Sequence, residues 1–196
     1  MALPTLAGTR CRLRELRLQD ASDIAAHADD EGVWRNLFEG FPRPYTLAHA
    51  QAWCGDEHRQ PQFGQVWAID VGGVAAGCCS VRQDAGWMRC NAEVGYWIGR
   101  AFWRRGIASE ALRLITHWAF ATLPEVTRLY APIFALNEDS QGVARACGYV
   151  LEARMPGSAI KDGQLIDRVQ YAAYRHASRA SHVGAGDRAA LPTLQA

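Results

Sequence analysis

The sequence predicts an α+β fold: a mixed, largely antiparallel central sheet with helices flanking it. Three observations carry this prediction. Seven strand-like runs outnumber four helical ones. Two tight-turn signals, Gly72-Gly73 and Asp162-Gly163, each separate a pair of strand-like runs, as in antiparallel hairpins. One long helical pattern falls between two strands and makes a β-α-β unit, so the sheet is mixed.

Each element can be justified in order. The run TRCRLRELRLQD alternates as a first strand and ends at Asp20, where Asp20 and Asp23 give a loose start signal for a helix over DASDIAAHADD. An aromatic-rich stretch follows, broken by Pro42 and Pro44, and Thr46 is placed to cap a second helix beginning LAHAQAW. QVWAID and VAAGCCSVRQ flank Gly72-Gly73 as a hairpin, and AEVGYWIGR is a further strand. The helix in ASEALRLITHWAFATL sets Ala108, Leu112, Ile115 and Ala119 on one face. TRLYAPIF returns to strand. NEDSQGVARACGY is a short helix with a polar start and Gly148 as a left-handed C-cap. VLEARMPGSAI and IDRVQYAAYR close the sheet around KDGQ. The expected order is β-α-α-β-β-β-α-β-α-β-β.

With 49% apolar and 21% charged residues over 196 positions, the chain has the composition of a globular domain with a real core. We place that single domain at 1–176 and a small, polar, Gly/Ala-rich tail at 177–196. Lys and Arg number 21 against 20 for Asp and Glu, so charge gives no reason to expect nucleic acid or an anionic membrane as partner. Six cysteines lack the spacing of a disulfide framework or a zinc site, and the scattered histidines have no metal-ligand spacing. MALPTLAGTRCRL has no apolar core of signal-peptide length. These features lead to the expectation of a cytoplasmic protein with reduced thiols and no metal.

The segment FWRRGIASEA, residues 102–111, carries the chemistry. A loop that holds a diphosphate needs several backbone N–H groups converging ahead of a helix, and a residue without a side chain where the ligand approaches. Gly106 falls at that strand-to-helix junction, with Arg104 and Arg105 beside it. Alone, the segment reads first as an ordinary basic turn before a helix, since helix starts with basic neighbours are common. The surroundings add weight. AEVGYWIGRAFWRRGIASEAL, then NEDSQGVARACGY, with RLRELRLQDA and YTLAHAQAW before them and KDGQLIDRVQY after, resemble in order and spacing the GCN5-related N-acetyltransferase (GNAT) superfamily. The resemblance covers roughly residues 9 to 174 and is nearest to the branch of ribosomal-protein N-terminal acetyltransferases.

That resemblance implies the acyl-CoA N-acyltransferase fold and acetyl-CoA as co-substrate. It implies transfer of acetyl to a primary amine by direct attack in a ternary complex. The acceptor it implies first is a protein or peptide N-terminal α-amine. A small-molecule amine, or a non-catalytic acyl-CoA-binding regulatory domain, stays open, and so does a dimer. Carried over by position, Arg104, Arg105, Gly106, Ile107, Ala108 and Ser109 would contact the diphosphate. Tyr96, Trp97 and Ile98 would border the pantetheine and the oxyanion, and Asn137 with Ser140 match the branch's Asn-x-x-Ser. Trp103 stands where the wider family has Gln or Arg. The family's usual tyrosine acid falls on Ala144, so Ser140 is the candidate at the leaving thiol and Glu93 the candidate general base. Trp34, Phe38 and Phe41 are candidates to roof the acceptor, with packing of the first helices as the alternative.

Overall fold

The computed structural model describes residues 3–175, so the tail expected over 177–196 lies outside the described residues. One eight-stranded sheet runs in the order β1-β2-β3-β4-β5-β6-β8-β7. Its strands are β1 (Leu6–Ala7), β2 (Arg12–Glu15), β3 (Gln65–Val71), β4 (Val74–Gln83), β5 (Asn91–Ile98), β6 (Arg128–Phe134), β7 (Val150–Lys161) and β8 (Gln164–Tyr174). Every neighbouring pair is antiparallel except β5 with β6. That parallel pair is short: Asn91, Ala92 and Glu93 pair with Arg128, Leu129 and Tyr130. Beyond Glu93 the two strands part, although β5 stays paired to β4 and β6 to β8. The opening between them is where the site lies.

The helices are α1 (Ala21–Ala28), α2 (Glu31–Trp34), α3 (Leu47–Gly55), α4 (Ile107–Thr122) and α5 (Glu138–Ala146). Successive residues of β3 divide the core between two faces. Trp67 and Ile69 pack with Leu112 and Ile115 of α4, while Val66 and Ala68 pack with Ile24 of α1 and Ala50 of α3. Thr46 caps α3 as expected, accepting from the His49 N–H at 3.3 Å. Both glycines of the Gly72-Gly73 turn have positive φ.

Three expectations need correction. A two-residue strand, β1, and a one-turn helix, α2, are present in addition to the expected elements; neither is long enough to show a period. The first strand is confined to Arg12–Glu15, and Leu18–Asp20 is a 3-10 turn. Asp20 does precede α1 but does not cap it with its side chain. Its carboxylate instead accepts from Arg14 Nη1 at 2.7 Å and Nη2 at 2.8 Å. Arg14 also donates through Nε to Asp70 at 2.6 Å, forming a buried triad that joins β2, β3 and the start of α1.

Candidate active site

The loop from Gly99 to Gly106 leaves the open end of β5 and delivers the chain to α4. Arg104 has φ +57° and Gly106 has φ +73°, both left-handed. Such alternation turns successive N–H groups toward one concavity, a common anion-binding geometry. The first intrahelical bond of α4 runs from the Glu110 N–H to the Gly106 carbonyl at 3.0 Å. The N–H groups of Ile107, Ala108 and Ser109 therefore have no intrahelical acceptor and sit at the positive end of a 16-residue helix. A side chain at Gly106 would be strained, and its Cβ would lie 3.2 Å from Arg10 Nε. Arg10 is a basic residue that sequence reasoning missed. It is held there because Glu110, in the first turn of α4, accepts from the N–H groups of Thr9, Arg10 and Cys11 at 3.0, 2.6 and 2.8 Å.

This cradle opens into a cavity of about 360 Å³ between β5, α4, α5 and α2. Of the residues expected in the site, Tyr96, Trp97, Ile98, Arg104, Gly106, Ile107, Ala108, Ser109, Asn137 and Ser140 all line it. Arg105 does not; its guanidinium lies over the Phe102 ring, 5.6 Å from the centroid. The carbonyl of Ile98 already accepts from Trp103 Nε1 at 2.8 Å, so a pantetheine N–H there would be its second donor. The tryptophan in the first position of the loop is thus part of the wall, anchoring the loop to the end of β5.

Asn137 caps α5, accepting from the Ser140 N–H at 3.1 Å. Ser140 lies opposite β5, and the Tyr96 hydroxyl bridges the opening to it. The phenol oxygen is 2.9 Å from Ser140 Oγ and donates to the Ser140 carbonyl at 3.0 Å. Burial pushes the Tyr96 phenol well above its ordinary pKa, outweighing the Ser140 hydrogen bond, so it stays neutral. Cys147, at the end of α5, donates to the Ser109 carbonyl, and burial raises its pKa; among the described residues no side-chain base hydrogen-bonds to it.

Glu93 is not on the cavity wall. It is the last β5 residue paired to β6, at the foot of the opening, and accepts from Arg82 Nη2 at 2.5 Å. Arg82 also contacts Asp84, which accepts from the Tyr130 hydroxyl at 3.2 Å. Glu93 therefore belongs to a four-residue polar cluster beside the cavity. Nor do Trp34, Phe38 and Phe41 line the cavity. Its α2 side is formed by Gly32 and Val33 of that turn and by Asn36 and Leu37 just after it. The Trp34 indole donates to the Phe41 carbonyl and meets Arg43 and Lys161 over its ring. Phe41 stacks on Tyr45 with centroids 4.8 Å apart and meets Trp97 edge-on at 6.4 Å. Phe38 is exposed.

A family model described as the acetyltransferase (GNAT) domain matches residues 10–150. The chain belongs to the GNAT acetyltransferase family. Solved structures sharing the GNAT fold with it include RimL, a ribosomal L7/L12 alpha-N-protein acetyltransferase in complex with coenzyme A. That structure is 21% identical, with a TM-score of 0.73, and the match covers 87% of this chain and 98% of RimL. Mycobacterium smegmatis RimJ, in complex with CoA-disulfide, is also 21% identical, with a TM-score of 0.76 and 87% of each chain covered. A sequence relative, YdaF of Bacillus subtilis (strain 168), provisionally named a ribosomal N-acetyltransferase, is 32% identical over 81 residues. That match covers 41% of this chain and less than half of YdaF, 44%. Among the described residues, no group of three or more His, Cys, Asp or Glu side chains could hold a metal ion. No helix among them is long and apolar enough to cross a membrane.

Proposed function

We propose that this GNAT domain moves acetyl from acetyl-CoA to a primary amine by direct attack in a ternary complex, with a protein or peptide N-terminal α-amine as acceptor. One observation carries the reading. The left-handed Arg104 and Gly106, the first residues of α4 with their free N–H groups, and Ser140 all line a single cavity along the unpaired end of β5. The N–H groups and Arg104 suit a diphosphate at one end, and Ser140 suits the thioester sulfur at the other.

The acceptor class is supported by relatives named for acting on ribosomal proteins and by proton energetics. At pH 7 an α-amine of pKa ~8 costs about 1.4 kcal/mol to deprotonate, whereas a lysine of pKa ~10.4 costs about 4.6 kcal/mol. An α-amine therefore makes the lesser demand on a base. Glu93 takes that role at one remove, because it lies outside the cavity and is engaged by Arg82; water relays the amine proton to it. A cytoplasmic setting is part of the proposal, supported by the free state of all six cysteines.

The test has two stages. Acetyl-CoA at 100-fold over its Kd should stabilise the protein by about 2.7 kcal/mol, read as a rise in Tm. No shift at millimolar acetyl-CoA overturns the cofactor assignment. Release of free CoA is then followed over a panel of peptides with free N-termini and a panel of small amines. Turnover with peptides and silence with their N-terminally blocked forms is the expected result. Turnover confined to small amines overturns the acceptor class. Silence throughout, beside tight binding of acetyl-CoA, overturns the catalytic reading in favour of a binding domain.

A further inference from the structure

We propose that Tyr96 is a positioning residue for acetyl transfer: its hydroxyl, reaching across the opening from β5, frees and aims the Ser140 hydroxyl at the leaving sulfur. The inference rests on the reading that Ser140 faces the cofactor's thiol, and it adds a second hydroxyl to the leaving-group side of the reaction.

The geometry defines two arrangements of the same two protons. In one, Tyr96 donates to the Ser140 carbonyl at 3.0 Å and Ser140 donates to the phenol oxygen at 2.9 Å. Every proton is then used internally and none points into the cavity. In the other, Tyr96 donates to Ser140 Oγ, which leaves the serine proton free to turn toward the cavity that both residues line. The carbonyl gives up little on the exchange, because it keeps its place in the α5 ladder. Negative charge on sulfur favours the second arrangement, since a thiolate draws a charge-assisted donor. As the amine nitrogen bonds to the acetyl carbon and the C–S bond breaks, the C–S electron pair goes to sulfur, which leaves as the thiolate, and the amine's proton leaves through water on the Glu93 side. Tyr96 and Ser140 exchange hydrogen bonds and each keeps its own proton.

A neutral phenol is needed for this exchange, and the burial of Tyr96 keeps it so. Without the phenol, Ser140 Oγ loses the side-chain partner that holds it at the opening, and its proton is no longer aimed at the cavity. Ala144, where the resemblance places the usual tyrosine, is fully buried and offers no polar atom. The tyrosine here comes instead from the strand on the far side of the opening.

The test uses bound CoA and needs no acceptor. The thiol is titrated in its complex with the full chain from the ultraviolet absorbance of the thiolate, with a desulfo-CoA complex as the blank. Tyr96→Phe keeps the ring and its packing, and thermal stabilisation by CoA checks that binding and fold are intact. The expected result is that Tyr96→Phe and Ser140→Ala each raise the pKa of the bound thiol by about one, and that the double variant goes no further than either. With an acceptor that turns over, Tyr96→Phe should lower kcat about tenfold and leave KM for acetyl-CoA within about twofold. If Ser140→Ala raises the thiol pKa and Tyr96→Phe does not, the role of Tyr96 is wrong and the Ser140 reading stands. If neither variant moves it, both fall together. If CoA does not bind the unaltered chain, the cofactor assignment itself has failed.

Discussion

Gly106 shows how much a single residue can decide here. It is the N-cap of α4 and lies at φ +73°, where an L side chain is disfavoured; a Cβ there would also press on Arg10. Gly106→Glu adds backbone strain, bulk and a negative charge at the mouth of the anion cradle. We expect it to abolish acetyl-CoA binding, measured by calorimetry, while the Tm of the free protein falls by only a few degrees. Normal binding by that variant would place the cradle elsewhere. Glu93 is a second residue-scale case. Glu93→Gln keeps a hydrogen-bond acceptor for Arg82 but removes the base, so kcat should fall about 10²-fold at neutral pH. Acetyl-CoA affinity should not change, because Glu93 does not touch the cavity. A variant with unaltered kcat would remove Glu93 from the reaction.

Among elements, α4 and the β1–β2 turn act as one unit because Glu110 joins them. Burial raises the pKa of this carboxyl, but the N–H groups and hydroxyl of residues 9 to 11 outweigh that and bring it down to about 2 from an ordinary 4.5. A depressed carboxyl pKa stabilises the fold above the unfolded-state value, and that contribution disappears as pH falls through the folded-state value. The window is therefore from about pH 4.5 down to about 2, and the contribution is on the order of 2–3 kcal/mol. Glu110→Gln should lose much of this at pH 7 and show a flatter decline in that window, measured by urea unfolding across pH. It should also weaken acetyl-CoA binding severalfold, because Arg10 and the start of α4 lose their common anchor. Little of this unit was legible in the sequence. The cradle could be found because glycine at a strand-to-helix junction is a local signal. Glu110 and Arg10 could not, because their contact spans about a hundred residues and each resembles an ordinary surface charge. The contribution of α2 to the cavity was not legible for a related reason: α2 is four residues long, too short for its pattern to show that Gly32 and Val33, and not Trp34, line the cavity. The long elements α4 and β6 followed their periodicity, since each buries one stripe against the core, whereas β3 and β4 are buried on both faces and were legible as apolar runs about the Gly72-Gly73 turn.

For the molecule as a whole, the buried triad of Arg14, Asp20 and Asp70 ties the sheet to the helices on its α1 face, well away from the cavity. Arg14→Met leaves buried Asp20 without its cation and Asp70 with only the half-exposed Arg12 at 3.3 Å, and we expect a loss of about 3–5 kcal/mol in urea unfolding with no change in acetyl-CoA affinity. A loss below about 1 kcal/mol would mean that the triad contributes little. The parting of β5 from β6 has a further consequence. Exposed strand edges invite other chains to add on, and proteins usually guard them at the rim of a sheet. Here a row of unmatched backbone groups is kept in the middle of the sheet instead, screened on one side by β4 and on the other by β6 and β8. A molecule that enters the opening and carries its own amides can pair with those groups as an added strand would at a rim. Withdrawing an edge into the interior thus keeps it from other chains and reserves it for the ligand.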